Sequence, residues 1–323
     1  MEHVICNLCG ADDPIVLLPS TMADGAHPPG ENGHPADPEH FHCTTLSYGQ
    51  HYRIVRCKRC GLVYTDPRRR PADMLNDYEA VEDPRYIAER ESRILTFRRN
   101  IRPLEEMIPA RQAGHRRAGH RLLDIGAHIG VFVEVAQERG WDAWGLEPSR
   151  WAVEEGRRRG LNMIQGTLRD AEFDPESFDL VTMWDVIEHL PDPAGEMSEV
   201  ARILKPGGIF CAHTINVESL FARLMGRYWP WWVEMHLFFF SPRTLSAAAE
   251  KAGLQVESWR MQGRYLHLGY LLSRLSGWSK PLGRLAEGLA QALHIDKWVV
   301  HVNFGDLFTL YARKPTASST MDR

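Results

Sequence analysis

From Arg121 onward, short apolar runs alternate with segments whose apolar positions recur every three or four residues. The first pattern predicts strands near 122–126, 143–147, 162–165, 178–184 and 208–214. The second predicts helices near 130–139, 149–159 and 194–204, followed by another over Pro242–Gly253. Glycine and proline punctuate the joins, and strand–helix alternation of this kind builds a mostly parallel sheet covered by helices. Upstream, Ile87, Ile94, Phe97, Ile101 and Leu104 recur at helical intervals among charged residues, predicting one helix from about Pro84 to Ile108. Residues 111–120 are basic and broken by glycine, as in a linker, and residues 263–300 read as a helical insertion rich in leucine and arginine. That insertion is expected to serve as a substrate lid or a dimer surface, or to lie on a membrane surface.

Cysteine spacing adds a second unit. Cys6-Asn-Leu-Cys9-Gly10 and Cys57-Lys-Arg-Cys60-Gly61 form two knuckles in which each cysteine pair converges on one ion while glycine frees the turn. Four thiolates leave a tetrahedral zinc no open position, so the ion is expected to be structural. His27, His34, His40, His42 and Cys43 lie between the knuckles with no familiar ligand spacing and read as a solvated loop. Gly61-Leu-Val-Tyr-Thr-Asp-Pro67 reads as the last strand of a zinc ribbon. The domain division that follows is 1–80 ribbon, 81–120 helical linker and cap, 121–314 catalytic α/β domain with the insertion, and 315–323 disordered tail.

Composition narrows the class. The chain has 323 residues, 44% hydrophobic and 25% charged, with a formal net charge of −4, which disfavours nucleic-acid binding through bulk charge. The amino terminus lacks a basic-then-apolar leader pattern and no run of 18 apolar residues occurs, so a cytoplasmic enzyme without a membrane span is expected.

The chemistry concentrates at the carboxyl ends of the predicted strands. Leu122-Leu-Asp-Ile-Gly-Ala-His-Ile-Gly130 is a strand running through a glycine turn into a helix, which forms a nucleotide-sized pocket. Only Gly126 and Gly130 stand in the turn, short of the G-x-G-x-x-G spacing that cradles a pyrophosphate, and Asp124 precedes it. Glu147 ends the second strand, where a carboxylate accepts from both hydroxyls of a ribose. Phe178 to Leu190 is a buried strand whose polar end, Asp185 to His189, opens into the same crevice. These residues, with Lys205-Pro-Gly-Gly208, resemble in order and spacing the class I S-adenosylmethionine-dependent methyltransferases.

The resemblance implies a Rossmann-like sheet with one antiparallel strand, closed by Leu254–Met261 and Asp306–Arg313. It also implies cofactor contacts from Asp124, Gly126, Gly130, Glu147, Thr167, Leu168 and Asp185. His128 departs from the family, which usually has glycine there; it is expected to be an accommodated turn residue, the alternative being a ring that crowds the methionine moiety or contacts its carboxylate. Zinc knuckles followed by this domain and by His236-Leu-Phe-Phe-Phe-Ser241 are similar to the zinc-containing sugar C-methyltransferases, which implies His236 as a base. By the same likeness, Glu188, His189 and Tyr78 are candidate catalytic residues. Met235 stands directly before His236 where those relatives have glutamate, and Glu234 lies one step earlier. The expected reaction is methyl transfer to a hydroxyl or carbon of a small molecule, such as a sugar, glycan precursor or natural product. Two other readings remain open: an RNA methyltransferase contacting phosphates through Arg68-Arg-Arg70, Arg98-Arg99 and Arg116-Arg117, and a non-catalytic binding protein with a degenerate pocket.

Overall fold

A computed structural model describes residues 1–22, 48–108, 119–277 and 279–316. The histidine-rich stretch and Cys43, Arg116-Arg117 and nearly all of the expected linker and tail fall outside these residues. The amino-terminal strands are β1 (Pro14–Leu18), β2 (Ile54–Cys57) and β3 (Val63–Thr65). Three helices follow, α1 (Pro71–Glu79), α2 (Pro84–Ala88) and α3 (Arg90–Met107). The single helix expected from Pro84 to Ile108 is therefore two. Glu89 leaves helical geometry at φ −90°, ψ 6°, where its carbonyl takes a hydrogen bond from Ser92 Oγ at 2.9 Å.

The alternating unit comprises β4 (Arg121–Ile125), α4 (Val131–Glu138), β5 (Asp142–Glu147), α5 (Arg150–Arg158), β6 (Met163–Gln165), β7 (Phe178–Trp184), α6 (Pro193–Ile203) and β8 (Leu204–Ile215). Next come α7 (Leu220–Met225), β9 (Phe238–Phe239), α8 (Pro242–Lys251) and β10 (Gln255–Met261). The chain ends through β11 (Arg264–His267), α9 (Leu268–Ser273), α10 (Lys280–Ala292), β12 (Val299–Val302) and β13 (Leu307–Arg313).

Seven strands form one sheet in the order β10-β13-β8-β7-β4-β5-β6. β13 pairs antiparallel with both β8 and β10, and the four pairings from β8 to β6 are parallel. This is the expected Rossmann-like sheet with one antiparallel strand. Every residue of β7 is buried, as a strand covered on both faces requires. Capping sets the helix starts: Ser149 accepts from Ala152 N, Asp192 from Gly195 N, and Ser241 with Thr244 closes a capping box behind Pro242.

Two features depart from the expected organisation. The insertion is not helical throughout: β11 and β12 pair antiparallel at its base, because the β-branched run Val299-Val300-His301-Val302 finds a partner in Arg264–His267. The amino-terminal strands also acquire a fourth member from far along the chain, since β9 pairs with β3 through Val63–Phe239 and Tyr64–Phe238. Cys6, Leu8, Val55, Leu62 and Tyr64 consequently share one apolar cluster with Phe210, Phe238, Leu245 and Phe308.

Candidate functional site

Three strand ends define a crevice. β4 ends beside Asp124, which is buried and accepts from Thr182 Oγ1 at 2.7 Å. Burial, with Glu147 adding to it, pushes the Asp124 carboxyl up to about 8. The turn that follows needs left-handed backbone at Gly126 (φ 67°), His128 (φ 49°) and Gly130 (φ 79°). Glycine is required twice: a Cβ on Gly126 would overlap Val186, and one on Gly130 would lie 2.8 Å from Leu161 Cδ1. Glu147 Oε1 accepts from Ser149 N at 2.9 Å and Oε2 from His128 N at 2.8 Å. Burial raises its carboxyl to about 7 against those two bonds.

Two buried carboxylates at neighbouring strand tips suit a cationic ligand carrying hydroxyl donors better than an anionic one. This donor set fits the expected cofactor: Glu147 offers the remaining lone pairs of both oxygens to a ribose, and Asp124 faces the same turn. Leu168 is buried in the loop after β6. Thr167 is held by Asp170 Oδ2, through its amide at 2.9 Å and its hydroxyl at 2.6 Å, so that carboxylate is engaged within its own loop.

The His128 ring stacks on Tyr86 of α2, centroids 3.7 Å apart and planes 18° apart, with Trp151 edge-on at 6.1 Å. The Arg93 guanidinium also lies over Tyr86, 3.7 Å from its centroid. The side chain is thus directed into a stack with Tyr86 of α2.

A second group gathers where β7 ends and the aromatic segment 228–240 crosses it. Glu188, His189 and His236 bring one ligand atom each to within 4.8 Å of one another, and the two imidazole centroids are 4.8 Å apart. His236 Nδ1 lies 2.9 Å from the Trp231 carbonyl, and His189 Nδ1 lies 2.9 Å from the Met235 carbonyl. A carbonyl only accepts, so both Nδ1 atoms carry the proton and each neutral ring keeps its lone pair on Nε2. Tyr78, from the end of α1, places its hydroxyl 3.1 Å from His189 Nδ1. Burial lowers His189 to about 4 and holds His236 well below the ordinary histidine value, so both are neutral near pH 7. Glu188 is buried, its Oε2 has no hydrogen-bond partner among the described residues, and burial raises it to about 8. Trp231 and Phe239 line the His236 ring.

The amino-terminal sheet holds this group in place. Thr65 N donates to the Leu237 carbonyl at 2.9 Å and Thr65 Oγ1 to the His236 carbonyl at 3.1 Å, while Leu237 N and Phe238 N both donate to the Glu188 carbonyl. Beneath that sheet, Cys6 and Cys60 Sγ are 3.4 Å apart, Cys9 and Cys57 Sγ 3.5 Å apart, and all four sulfurs lie within 4.8 Å. Tetrahedral zinc with Zn–S bonds of about 2.3 Å needs sulfur–sulfur edges of about 3.8 Å, so the set fits one ion.

Sequence reasoning missed Arg264. Its guanidinium meets Asp185 Oδ1 at 3.1 Å and lies 5.7 Å from the Trp231 ring centroid, with His213 Nε2 3.9 Å from the same carboxylate oxygen. Burial pushes Asp185 up, but Arg264 foremost, then His213 and Arg93, draws it below its usual range. Its sequence signal was slight, since it is one of several cations in an insertion rich in leucine and arginine. Glu234 points elsewhere, accepting from Tyr52 OH at 3.3 Å. Of the arginines offered for phosphate contacts, Arg68 is engaged by Glu2 and the Pro191 carbonyl and Arg69 by Asp77, while Arg70 and Arg98 form exposed pairs with Asp73 and Glu138 and Arg99 Nη1 lies 2.6 Å from His301 Nε2.

Comparison with known proteins identifies the family of the fold. A family model described as a methyltransferase domain matches residues 94–258, half of the chain. The ubiquinone biosynthesis O-methyltransferase of Alkalilimnicola ehrlichii is 37% identical over 120 residues, 34% of this chain and 49% of that protein. The enzyme of the same name from Methylococcus capsulatus is 31% identical over 160 residues, 45% of this chain and 67% of its own. The chain spans about half the length of the first of these curated relatives. Among solved structures, phosphoethanolamine N-methyltransferase 2 of Haemonchus contortus, in complex with phosphomonomethylethanolamine and S-adenosylhomocysteine, aligns with a TM-score of 0.45 at 20% identity, covering 68% of this chain and 52% of that one. None of these names a sugar or glycan acceptor, so that expectation has no support in them.

Proposed function

The chain belongs to the class I S-adenosylmethionine-dependent methyltransferases, and on that premise we propose that it methylates a hydroxyl of a small aromatic or quinol-like acceptor, with His236 as base. The observation that carries the reading is the pair of neutral imidazoles, each with Nδ1 tied to a carbonyl so that the lone pair is on Nε2, under an aromatic cover at the strand ends. The curated relatives, O-methyltransferases by name, favour oxygen over carbon as the acceptor atom.

Asp124, the Gly126–Gly130 turn, Glu147, Thr167, Leu168 and Asp185 would hold the cofactor, which when bound would supply an electrophilic methyl group on a cationic sulfur. The protein's own contribution is positioning and proton removal. His236 Nε2 takes the hydroxyl proton as the oxygen begins its attack. Glu188 lies within 4.8 Å but, raised to about 8 by burial, is mostly the neutral acid near pH 7; Asp185, held below its usual range, is the anion that favours the imidazolium that forms. Tyr78 and the Met235 carbonyl keep His189 from rotating, and Trp231 with Phe239 excludes water. Cys6, Cys9, Cys57 and Cys60 would hold a structural zinc, and the sheet it braces fixes the backbone of His236 through Thr65.

The test is turnover of S-adenosylmethionine to its demethylated product with a panel of phenols, catechols and quinols. We expect turnover that His236→Ala removes; turnover with RNA alone would overturn the assignment.

A further inference from the structure

Helix α10 is built the wrong way round for a helix of a water-soluble surface. The side it turns to the protein carries Gly283 and Ala290, both buried, and it packs on α9 and the turn after it. Its leucines face outward: Leu282, Leu285, Leu289 and, one residue past the helix end, Leu293 are 51%, 61%, 55% and 66% exposed. Their spacing of three, four and four residues aligns them in one stripe. Trp298, just beyond, is 62% exposed. A stripe of this length left in water is an interaction surface, since scattered single apolar residues are ordinary but aligned ones are not.

Charge chooses the occupant. In a chain of formal net charge −4, the exposed charged residues between 279 and 299 are Lys280, Arg284 and Lys297, all basic, while Glu287 and Asp296 are partly buried. We propose that α10 lies in the interface of an anionic lipid bilayer, leucines toward the acyl chains and the basic residues at the headgroups. A second copy of the chain is a poorer occupant, because two apposed α10 helices would bring like charges together. The surface connects with the catalytic group through the same insertion, whose first strand carries Arg264 to Asp185 and whose Tyr265 N is held by Thr96 of α3. Among the described residues no helix is long and apolar enough to cross a membrane, so the association proposed is peripheral.

The test is co-sedimentation of the full chain with vesicles of equal parts phosphatidylglycerol and phosphatidylcholine, beside vesicles of phosphatidylcholine alone. Binding to the anionic vesicles is expected, weakening with salt and falling about tenfold or more in Leu285→Asp/Leu289→Asp, which keeps S-adenosylmethionine binding. Lys280→Gln/Arg284→Gln is expected to remove the preference for anionic vesicles while leaving the fold untouched. Equal sedimentation of wild type and the leucine variant would overturn the proposal. So would a dimer in solution that the leucine variant converts to monomer without any change in vesicle binding.

Discussion

Replacing Glu147 by glutamine tests the cofactor assignment most directly, because the structure separates two effects of the change. Both carboxylate oxygens already accept one backbone N–H, from Ser149 and from His128. An amide must turn its NH2 toward one of these donors, leaving a buried N–H unsatisfied at a cost of about 1–3 kcal/mol, which lowers the melting temperature of the ligand-free protein by a few degrees. The lost charge acts separately on ligand affinity. A hydrogen bond to a charged acceptor is worth about 1.5–3 kcal/mol, so the dissociation constant for S-adenosylmethionine should rise about 10- to 100-fold. Isothermal titration calorimetry measures the second effect and thermal unfolding the first. A melting temperature that falls while the dissociation constant stays within about twofold would refute the ribose role and leave Glu147 as a brace for the turn.

Four further outcomes are expected. His236→Ala should lower kcat by about 10²- to 10⁴-fold while calorimetry finds S-adenosylmethionine binding unchanged. Stripping zinc with a chelator, or Cys57→Ser, should abolish turnover and reduce hydrogen-exchange protection at Thr65, Leu237 and Phe238, because β3 carries the His236 segment. Asp124 and Glu147 are held at about 8 and about 7, above their ordinary carboxylate values, so the folded state binds more protons than the unfolded one. Their stabilisation is full below about pH 4 and lost as pH rises through 7 to 8, and the melting temperature of the ligand-free protein should fall over that window. Added S-adenosylmethionine, a cation with ribose donors, should raise the melting temperature more at pH 8 than at pH 5. Gly126→Ala combines left-handed backbone with overlap on Val186 and should destabilise by about 2–4 kcal/mol in urea unfolding; a loss under 0.5 kcal/mol would mean the turn relaxes freely.

Much of the fold was legible because its signals are local. The strand of Leu122–Ile125 is short, apolar and stopped by glycine, and β5 ends at Glu147 just before Pro148 and the Ser149 cap. Such features depend on neighbours within one turn of chain, so the order of strands and helices, the carboxylates at the strand tips and the paired knuckles could be read without coordinates. The break at Glu89 was not legible, since the periodicity of Ile87 and Ile94 runs through it and a single carbonyl bond from Ser92 ends the helix. The β11–β12 pair was hidden for another reason: a strand without a visible partner looks like part of the helical stretch beside it.

The sequence alone determined most elements of the alternating unit and which residue types stand at their ends, because propensity, capping and glycine geometry act over a few residues. Tertiary structure alone decided what meets what. The pairing of Phe238–Phe239 with Val63–Tyr64 spans most of the chain and carries no local mark. The same holds for the meeting of Tyr78, His189 and His236, the reach of Arg264 to Asp185, and the outward turn of the α10 leucines. Each depends on how the sheet twists and how separate segments share one core, and those packing energies are sums over contacts that no local window contains.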